Sequence, residues 1–308
     1  MTMARKYRRP SLSGWLVLDK PSGMTSNQAL GRVKWLLGEK KAGHAGTLDP
    51  LATGCLPIAF GEATKSVPYV VDDEKAYRFT VAWGAETNTD DSEGETVNTS
   101  DARPSEVDIA KLLTDFTGDI EQVPPQFSAV KIDGERAYKR AREGEAIEIA
   151  ARPVFVESLD IEAHTDASTT LTCVCGKGTY VRAIARDLGR GLRCFGHVSM
   201  LRRLWVGPFA EAQMVTMDEL EAAYESGGND EARAYVQPVE AGLDALDRVD
   251  VHSGDAGRLR RGQSILLRGR DAPILDQGFV YVMSADRLVA LAEAHGAELR
   301  PRRIFDTA

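Results

Sequence analysis

Cysteine is scarce in this sequence: Cys55, Cys173, Cys175 and Cys194 are the only four among 308 residues. So few in so long a chain exclude a disulfide-stapled scaffold. Cys173 and Cys175 share one face of any strand that carries them, but no second pair or nearby histidine pair completes a ligand set, so a core position in a reducing compartment is expected. Long apolar runs are missing as well. No stretch approaches the ~18–20 uninterrupted apolar residues of a membrane helix. The basic N-terminus (Arg5, Lys6, Arg8, Arg9) lacks the apolar segment of a secretory signal, and the first apolar run, Trp15 to Leu18, stops at Asp19-Lys20. Gly-Lys-Ser/Thr, His-Glu-x-x-His, Gly-x-Ser-x-Gly and Gly-x-Gly-x-x-Gly are all absent, which removes the simplest routes to a nucleotide-binding, zinc-protease or serine-hydrolase reading. A cytoplasmic protein without a metal site is expected.

What is present is an ordinary globular composition, 43% hydrophobic and 27% charged, in a chain long enough for about two domains at roughly 100–200 residues each. The net charge of −8 argues against a nucleic-acid binder, but the charges are segregated. Residues 177–203 hold Lys177, Arg182, Arg186, Arg190, Arg193, Arg202 and Arg203 against a single acid, Asp187. Further basic clusters are Arg258, Arg260, Arg261, Arg268 and Arg270, then Arg300, Arg302 and Arg303. Glu86, Asp90, Asp91, Glu93, Glu95 and Asp101 form an acidic run without a base, read as a solvated loop. Screening over about 8–10 Å makes local patches outweigh the total, and such separation suits an RNA-handling surface.

Residues 14–18 read as a strand closed by the Lys20–Gly23 turn, and Thr25-Ser26-Asn27 caps a helix with Leu30, Val33, Leu36 and Leu37 that ends at Gly38. Tyr77, Phe79, Val81 and Trp83 alternate on one strand face. Ser105 with Asp108 opens a helix through Phe116, broken at Pro124-Pro125; residues 154–161 and 171–175 alternate as strands. From Tyr180 to Leu192 a helix carries Val181, Ile184, Ala185 and Leu188 on one stripe and Arg182, Arg186, Arg190 and Arg193 beside it. Thr216-x-x-Glu219 is a capping box, 226–230 a loop, and 250–308 a small β-rich unit. Strands and helices without a regular βαβ period give an α+β class.

The site-like segment is Gly43-His44-Ala45-Gly46-Thr47-Leu48-Asp49-Pro50-Leu51-Ala52-Thr53-Gly54. Its glycines permit positive φ or close backbone approach, and Pro50 holds Asp49 extended, so a carboxylate can be presented into a cleft. From the residues alone the reading stops at one loop acid, a histidine five positions before it, and distant arginine-rich surfaces.

An ordered set of segments carries a resemblance. Leu18-Asp19-Lys20-Pro21-x-Gly23-Met24-Thr25-Ser26, Ala42 to Gly54, Gly61-Glu62-Ala63-Thr64-Lys65 and Lys75-x-Tyr77 are followed by Pro124-Pro125-x-Phe127-Ser128-Ala129-x-Lys131, Cys175-x-Lys177-Gly178-Thr179-Tyr180-Val181-Arg182 and Leu201-Arg202-Arg203. Over nearly its full length the chain resembles the bacterial tRNA pseudouridine-55 synthases, the TruB family. The resemblance implies a mixed, mainly antiparallel sheet core flanked by helices at 14–248, a basic arm at 1–13, and a small β-rich PUA-like domain at 249–308. It implies isomerisation of the TΨC-loop uridine of tRNA by base flipping, cleavage of the N1–C1′ bond and re-attachment through C5. No cofactor and no obligate protein partner are expected, and the chain should act on the tRNA T-arm as a monomer.

The resemblance also assigns roles. Asp49 is the catalytic carboxylate, whether it attacks C1′, attacks C6 or removes the C2′ proton. Arg182 is its partner, favouring the charged form. Tyr77 stacks on the target base, Tyr180 and Leu201 line the uracil pocket, and His44 fills the space the flipped nucleotide leaves. Arg186, Arg190, Arg193, Arg202 and Arg203 are expected on the RNA backbone, and Lys20 and Lys65 are expected either there or bracing a loop.

Overall fold

The computed structural model describes residues 12–128, 131–132, 135–136, 149–267 and 278–306. The basic N-terminal residues up to position 11, Ala129, and Arg268 and Arg270 lie outside them. The apolar run at 15–18 forms the strand Gly14–Lys20, which is near-continuously apolar because both faces are covered. Leu16 and Leu18 join one cluster; Trp15 and Val17 join another on the opposite face.

A ten-stranded mixed sheet organises the core, its main path running Val215–Thr216, Gly14–Lys20, Thr53–Phe60, Gly196–Val206, Lys75–Trp83, Ser168–Cys175, Arg152–His164, Gly118–Gln122. Two pairings are parallel, Leu18 with Val215 and Arg202 with Thr53, and the rest are antiparallel. The 77–83 alternation is real: Phe79, Val81 and Trp83 are buried on the helix-covered face. Helices Ser26–Leu37, Glu106–Leu113, Val181–Gly191 and Met217–Arg233 supply Val33, Leu36, Ile109, Ile184, Leu188 and Leu220 to that layer. Thr25 and Gln28 form the capping box of the first, and Gly38 ends it in the left-handed region at φ 68°. All four cysteines are free and buried.

The other face of the sheet packs Trp15, Val206 and Phe209 against Met283, Leu288, Leu291 and Phe305 of the C-terminal unit. That unit is the expected β-rich one: five strands in the order Asp247–Asp250, Gly278–Ser284, Arg287–His295, Glu298–Ile304, Ile265–Leu266, with the helix Ser253–Arg260. Its first strand spans the expected division at 248/249. No helix of the described residues is long and apolar enough to cross a membrane.

Two local expectations fail. The helix from Glu106 ends at Leu113, and the strand Gly118–Gln122 intervenes before Pro124-Pro125. Residues 226–230 lie inside the helix Met217–Arg233, broken only at Gly228 (φ 71°, ψ −154°). Their polarity has a local use: Asn229 Nδ2 donates to Leu36 O at 2.8 Å and Arg233 Nε to Leu37 O at 2.9 Å, satisfying the open carbonyls of the neighbouring helix end.

Candidate active site

The loop 45–52 is pinned at both ends because Ala42–His44 pairs antiparallel with Thr53–Phe60. Gly46 and Gly54 take φ +90° and +95°, and a Cβ on Gly54 would lie 2.2 Å from Arg203 O. Lys20 straps the turn from beneath. Its Nζ donates to Pro21 O (2.8 Å), Met24 O (2.7 Å) and Pro50 O (3.2 Å). Burial pulls its ammonium down to about 8, against the opposing pull of Asp49 and Glu93. Lys20 is fully buried, which favours loop bracing over a phosphate contact, the two roles expected of it.

This frame presents Asp49 at 34% side-chain exposure, with Arg182 Nε 2.8 Å from its Oδ2. The contact is a charge pair, since Nε–H makes no aligned hydrogen bond. The guanidinium is fixed by other bonds: Nη1 donates to Thr89 O at 2.8 Å and Nη2 to Phe127 O at 3.0 Å. Asp91 stands behind it, its Oδ2 3.4 Å from Nη1 and its Oδ1 accepting from Thr89 Oγ1 (2.6 Å) and Glu93 N (3.0 Å). Both Arg182 and Asp91 are buried, and Asp49 alone of the three reaches solvent.

Asp49 sits where two cavities meet. One, of about 280 Å³, holds Tyr77, Tyr180, Leu201, Lys75 and Arg203; the other, of about 720 Å³, holds His44, Asn27, Asp91 and Phe127. Thr47, Leu48, Asp49, Ser128 and Arg182 border both. Five of the six residues expected in catalysis and base binding, Asp49, Arg182, Tyr77, Tyr180 and Leu201, therefore share one cavity, and His44 lies in the next. Tyr77 closes the core on its strand, and burial pushes its phenol up to about 12. Tyr180 precedes the arginine helix, and Gln122 holds it by two bonds, Tyr180 N to Gln122 Oε1 at 2.8 Å and Gln122 Nε2 to Tyr180 O at 3.2 Å. Burial raises the Tyr180 phenol too.

Burial, with Arg203 nearby, lowers the His44 imidazolium below its ordinary 6.5, and its Nδ1 is buried without a hydrogen-bond partner. The sign follows directly. Below 6.5 the unfolded chain binds the proton that folded His44 resists, so stability falls as pH drops through that value. Wild-type protein is expected to lose melting temperature faster than His44→Gln between about pH 7 and pH 5; parallel curves by calorimetry would contradict this.

The arginine stripe turns from protein to solvent along its length, with Arg182 and Arg186 buried and Arg190 and Arg193 exposed. Across it lies the acidic run, which is buried at Glu86, Asp90 and Asp91 rather than solvated. Arg182 meets Asp91, Arg186 Nη1 meets Asp90 Oδ2 at 3.1 Å, and Arg190 forks onto Glu86 at 2.8 and 2.9 Å. One helical turn per arginine thus reads successive acids. Arg186, 7% exposed, also binds Asp187 and Val123 O, so its expected RNA contact is corrected. Arg190 stays half in solvent, but both arms of its fork are spent on Glu86.

Arg203 is corrected likewise: 1% exposed, it donates to Cys55 O at 2.7 Å and Gly46 O at 3.1 Å. Arg202 forks onto Asp19 at 2.9 and 2.9 Å and reaches Glu211 at 2.8 Å. Lys65 ties Glu62 (2.6 Å) to Ile304 O (2.7 Å), joining the core to the C-terminal unit. Arg193 is exposed at φ 56° with no ion pair among the described residues. Sequence reasoning missed Asp91 and Gln122; the acidic run was the available signal for Asp91, and nothing marked Gln122.

The geometry meets a consistent set of relatives. The model of the TruB family pseudouridylate synthase N-terminal domain matches residues 34–181, and that of the tRNA pseudouridylate synthase B C-terminal domain matches 182–244. The tRNA pseudouridine synthase B of Nitrobacter winogradskyi is 54% identical over 296 residues, covering 95% of this chain and 82% of that protein. The chain belongs to the TruB family of pseudouridine synthases. A second TruB relative, the tRNA pseudouridine synthase B of Brucella abortus, is 49% identical over 318 residues, 98% of each chain. Among solved structures, a chain of a Cbf5-Nop10-Gar1 complex superposes with a TM-score of 0.74 at 26% identity, covering 94% of this chain and 84% of that one. An H/ACA RNP bound to a substrate RNA containing 2′-deoxyuridine shares the fold, at TM-score 0.73 and 23% identity.

Proposed function

We propose that this enzyme converts uridine 55 in the TΨC loop of tRNA to pseudouridine, acting alone, as a monomer, in the cytoplasm and without a cofactor. The observation that carries the reading is the placement of a partly exposed Asp49, paired with buried Arg182, at the junction of two cavities. A uridine inside a folded loop must leave its stack before its sugar can be reached. The smaller cavity suits the extruded base: the Tyr77 ring offers a stacking face worth about 1–3 kcal/mol, with Leu201 and Tyr180 as walls. The larger cavity, with a neutral His44, suits the space vacated in the loop.

Asp49 then stands beside the ribose as nucleophile or base. Lys20 and Arg203 brace its loop, and Arg182 pairs with it. Contacts to the tRNA backbone pass to Arg193 and to the C-terminal cations free of ion pairs among the described residues, Arg260, Arg261 and Arg303. The test is a T-arm hairpin tritiated at C5 of the target uridine. Tritium release at that position, lost when the uridine is moved along the loop, is expected; no release would overturn the reading.

A further inference from the structure

Among the described residues Arg203 is a buried cation without an acid. Its strand neighbours are Tyr77 on one side and Gly54 on the other, so it lies at the centre of the sheet beneath the smaller cavity, which it lines. Nε and Nη2 are spent on Cys55 O and Gly46 O, while Nη1 makes no hydrogen bond and no ion pair among the described residues. The neighbouring cations differ. Arg182 faces Asp49 and Asp91, Lys20 is spent on three carbonyls, and Lys75 donates to Val71 O and Asp73 O. An unpaired buried charge costs several kcal/mol, and bracing two carbonyls does not require one, because a neutral donor would serve. The Tyr77 hydroxyl lies against the same guanidinium, so the cation borders the cavity beside the ring on which the base would stack.

We propose that Arg203 is the electrostatic sink for negative charge that collects on uracil while the glycosidic bond is broken. This rests on the function proposed above and concerns a residue whose expected role was the RNA backbone. If Asp49 attacks C1′ or takes the C2′ proton, the C1′–N1 electron pair leaves with the base, and uracil becomes an anion with charge on N1, O2 and O4. The reoriented anion forms the C5–C1′ bond with its C5=C6 electrons, displacing the Asp49 carboxylate from C1′ or adding as the C2′ proton returns. The C5 proton then leaves to a base and N1 takes one up, so nothing is oxidised or reduced. Attack at C6 instead puts charge on O4, in the same pocket. Fixed donors aimed at developing charge in a water-poor site act without reorganisation.

The test uses the whole protein and two T-arm hairpins, one with uridine and one with 5-fluorouridine at the target. The fluorinated base is more acidic and needs less help to leave. Rearrangement of the glycosidic bond is followed in single turnover, hairpin affinity by filter binding, and folding by thermal melting. Arg203→Gln is expected to slow uridine by about 10²-fold, the scale of one lost oxyanion donor. Fluorouridine should slow at least tenfold less, with affinity unchanged. Arg203→Lys, which keeps a displaced charge, should fall between and carries the comparison if the glutamine variant does not fold. Equal slowing of both hairpins would overturn the proposal and leave Arg203 a brace for Gly46 and Cys55. Failure of the parent reading looks different: wild-type protein would then leave the uridine hairpin unchanged.

Discussion

Asp49→Asn is expected to lower single-turnover isomerisation of a T-arm hairpin by at least about 10³-fold, within the range a positioned base or nucleophile contributes, while hairpin affinity stays within about twofold. The amide keeps the shape of the side chain but can neither hold a proton taken from carbon nor form an ester with it. The surroundings tolerate the change. Asp49 is one-third exposed, so no cavity opens, and a partly exposed ion pair contributes little to stability. Arg182 keeps its bonds to Thr89 O and Phe127 O and its contact with Asp91, so the guanidinium stays where it is. Affinity draws on phosphate contacts spread over other residues. Reduced binding with a normal rate per bound hairpin would contradict this division of labour.

Much of this site was legible in the sequence, and the part that was not shares one cause. Period-two alternation placed Tyr77 with Phe79, and period-3.6 spacing placed Arg182 beside Arg186 and Arg190, because side-chain periodicity is set by the backbone itself. Periodicity tells which residues share a face, not what that face meets. The arginine stripe looks RNA-facing in sequence because its acids lie up to 104 positions away and come opposite it only when Val198 pairs with Asp91. Arg203 failed the same way, and the sequence left Lys20 open between phosphate and loop: their charge is visible in a sequence, whereas the carbonyls of Pro50, Met24, Gly46 and Cys55 that replace water are backbone atoms no side-chain pattern reports. The glycines of the loop were informative, but only Gly46 and Gly54 need positive φ; Gly43 does not.

Arg182→Lys separates charge from geometry. The arginine reaches four groups from one planar fork: Asp49 at 2.8 Å, Thr89 O at 2.8 Å, Phe127 O at 3.0 Å and Asp91 at 3.4 Å. A lysine ammonium is a single point on a flexible stem and cannot span them. If it follows Asp91 and the carbonyls, Asp49 loses its partner; if it follows Asp49, buried oxygens lose theirs. Each lost charged hydrogen bond costs roughly 1.5–3 kcal/mol, and 3 kcal/mol is about 150-fold in rate. Single-turnover isomerisation by Arg182→Lys should therefore fall by about 10²-fold or more, with a lowered melting temperature and little change in hairpin affinity. Arg182→Lys combined with Asp49→Asn should be no slower than Asp49→Asn alone, because the arginine acts through that carboxylate. Near-normal rates for the lysine variant, or a double variant slower by the product of both effects, would show that Arg182 serves the fold and Asp49 works without it.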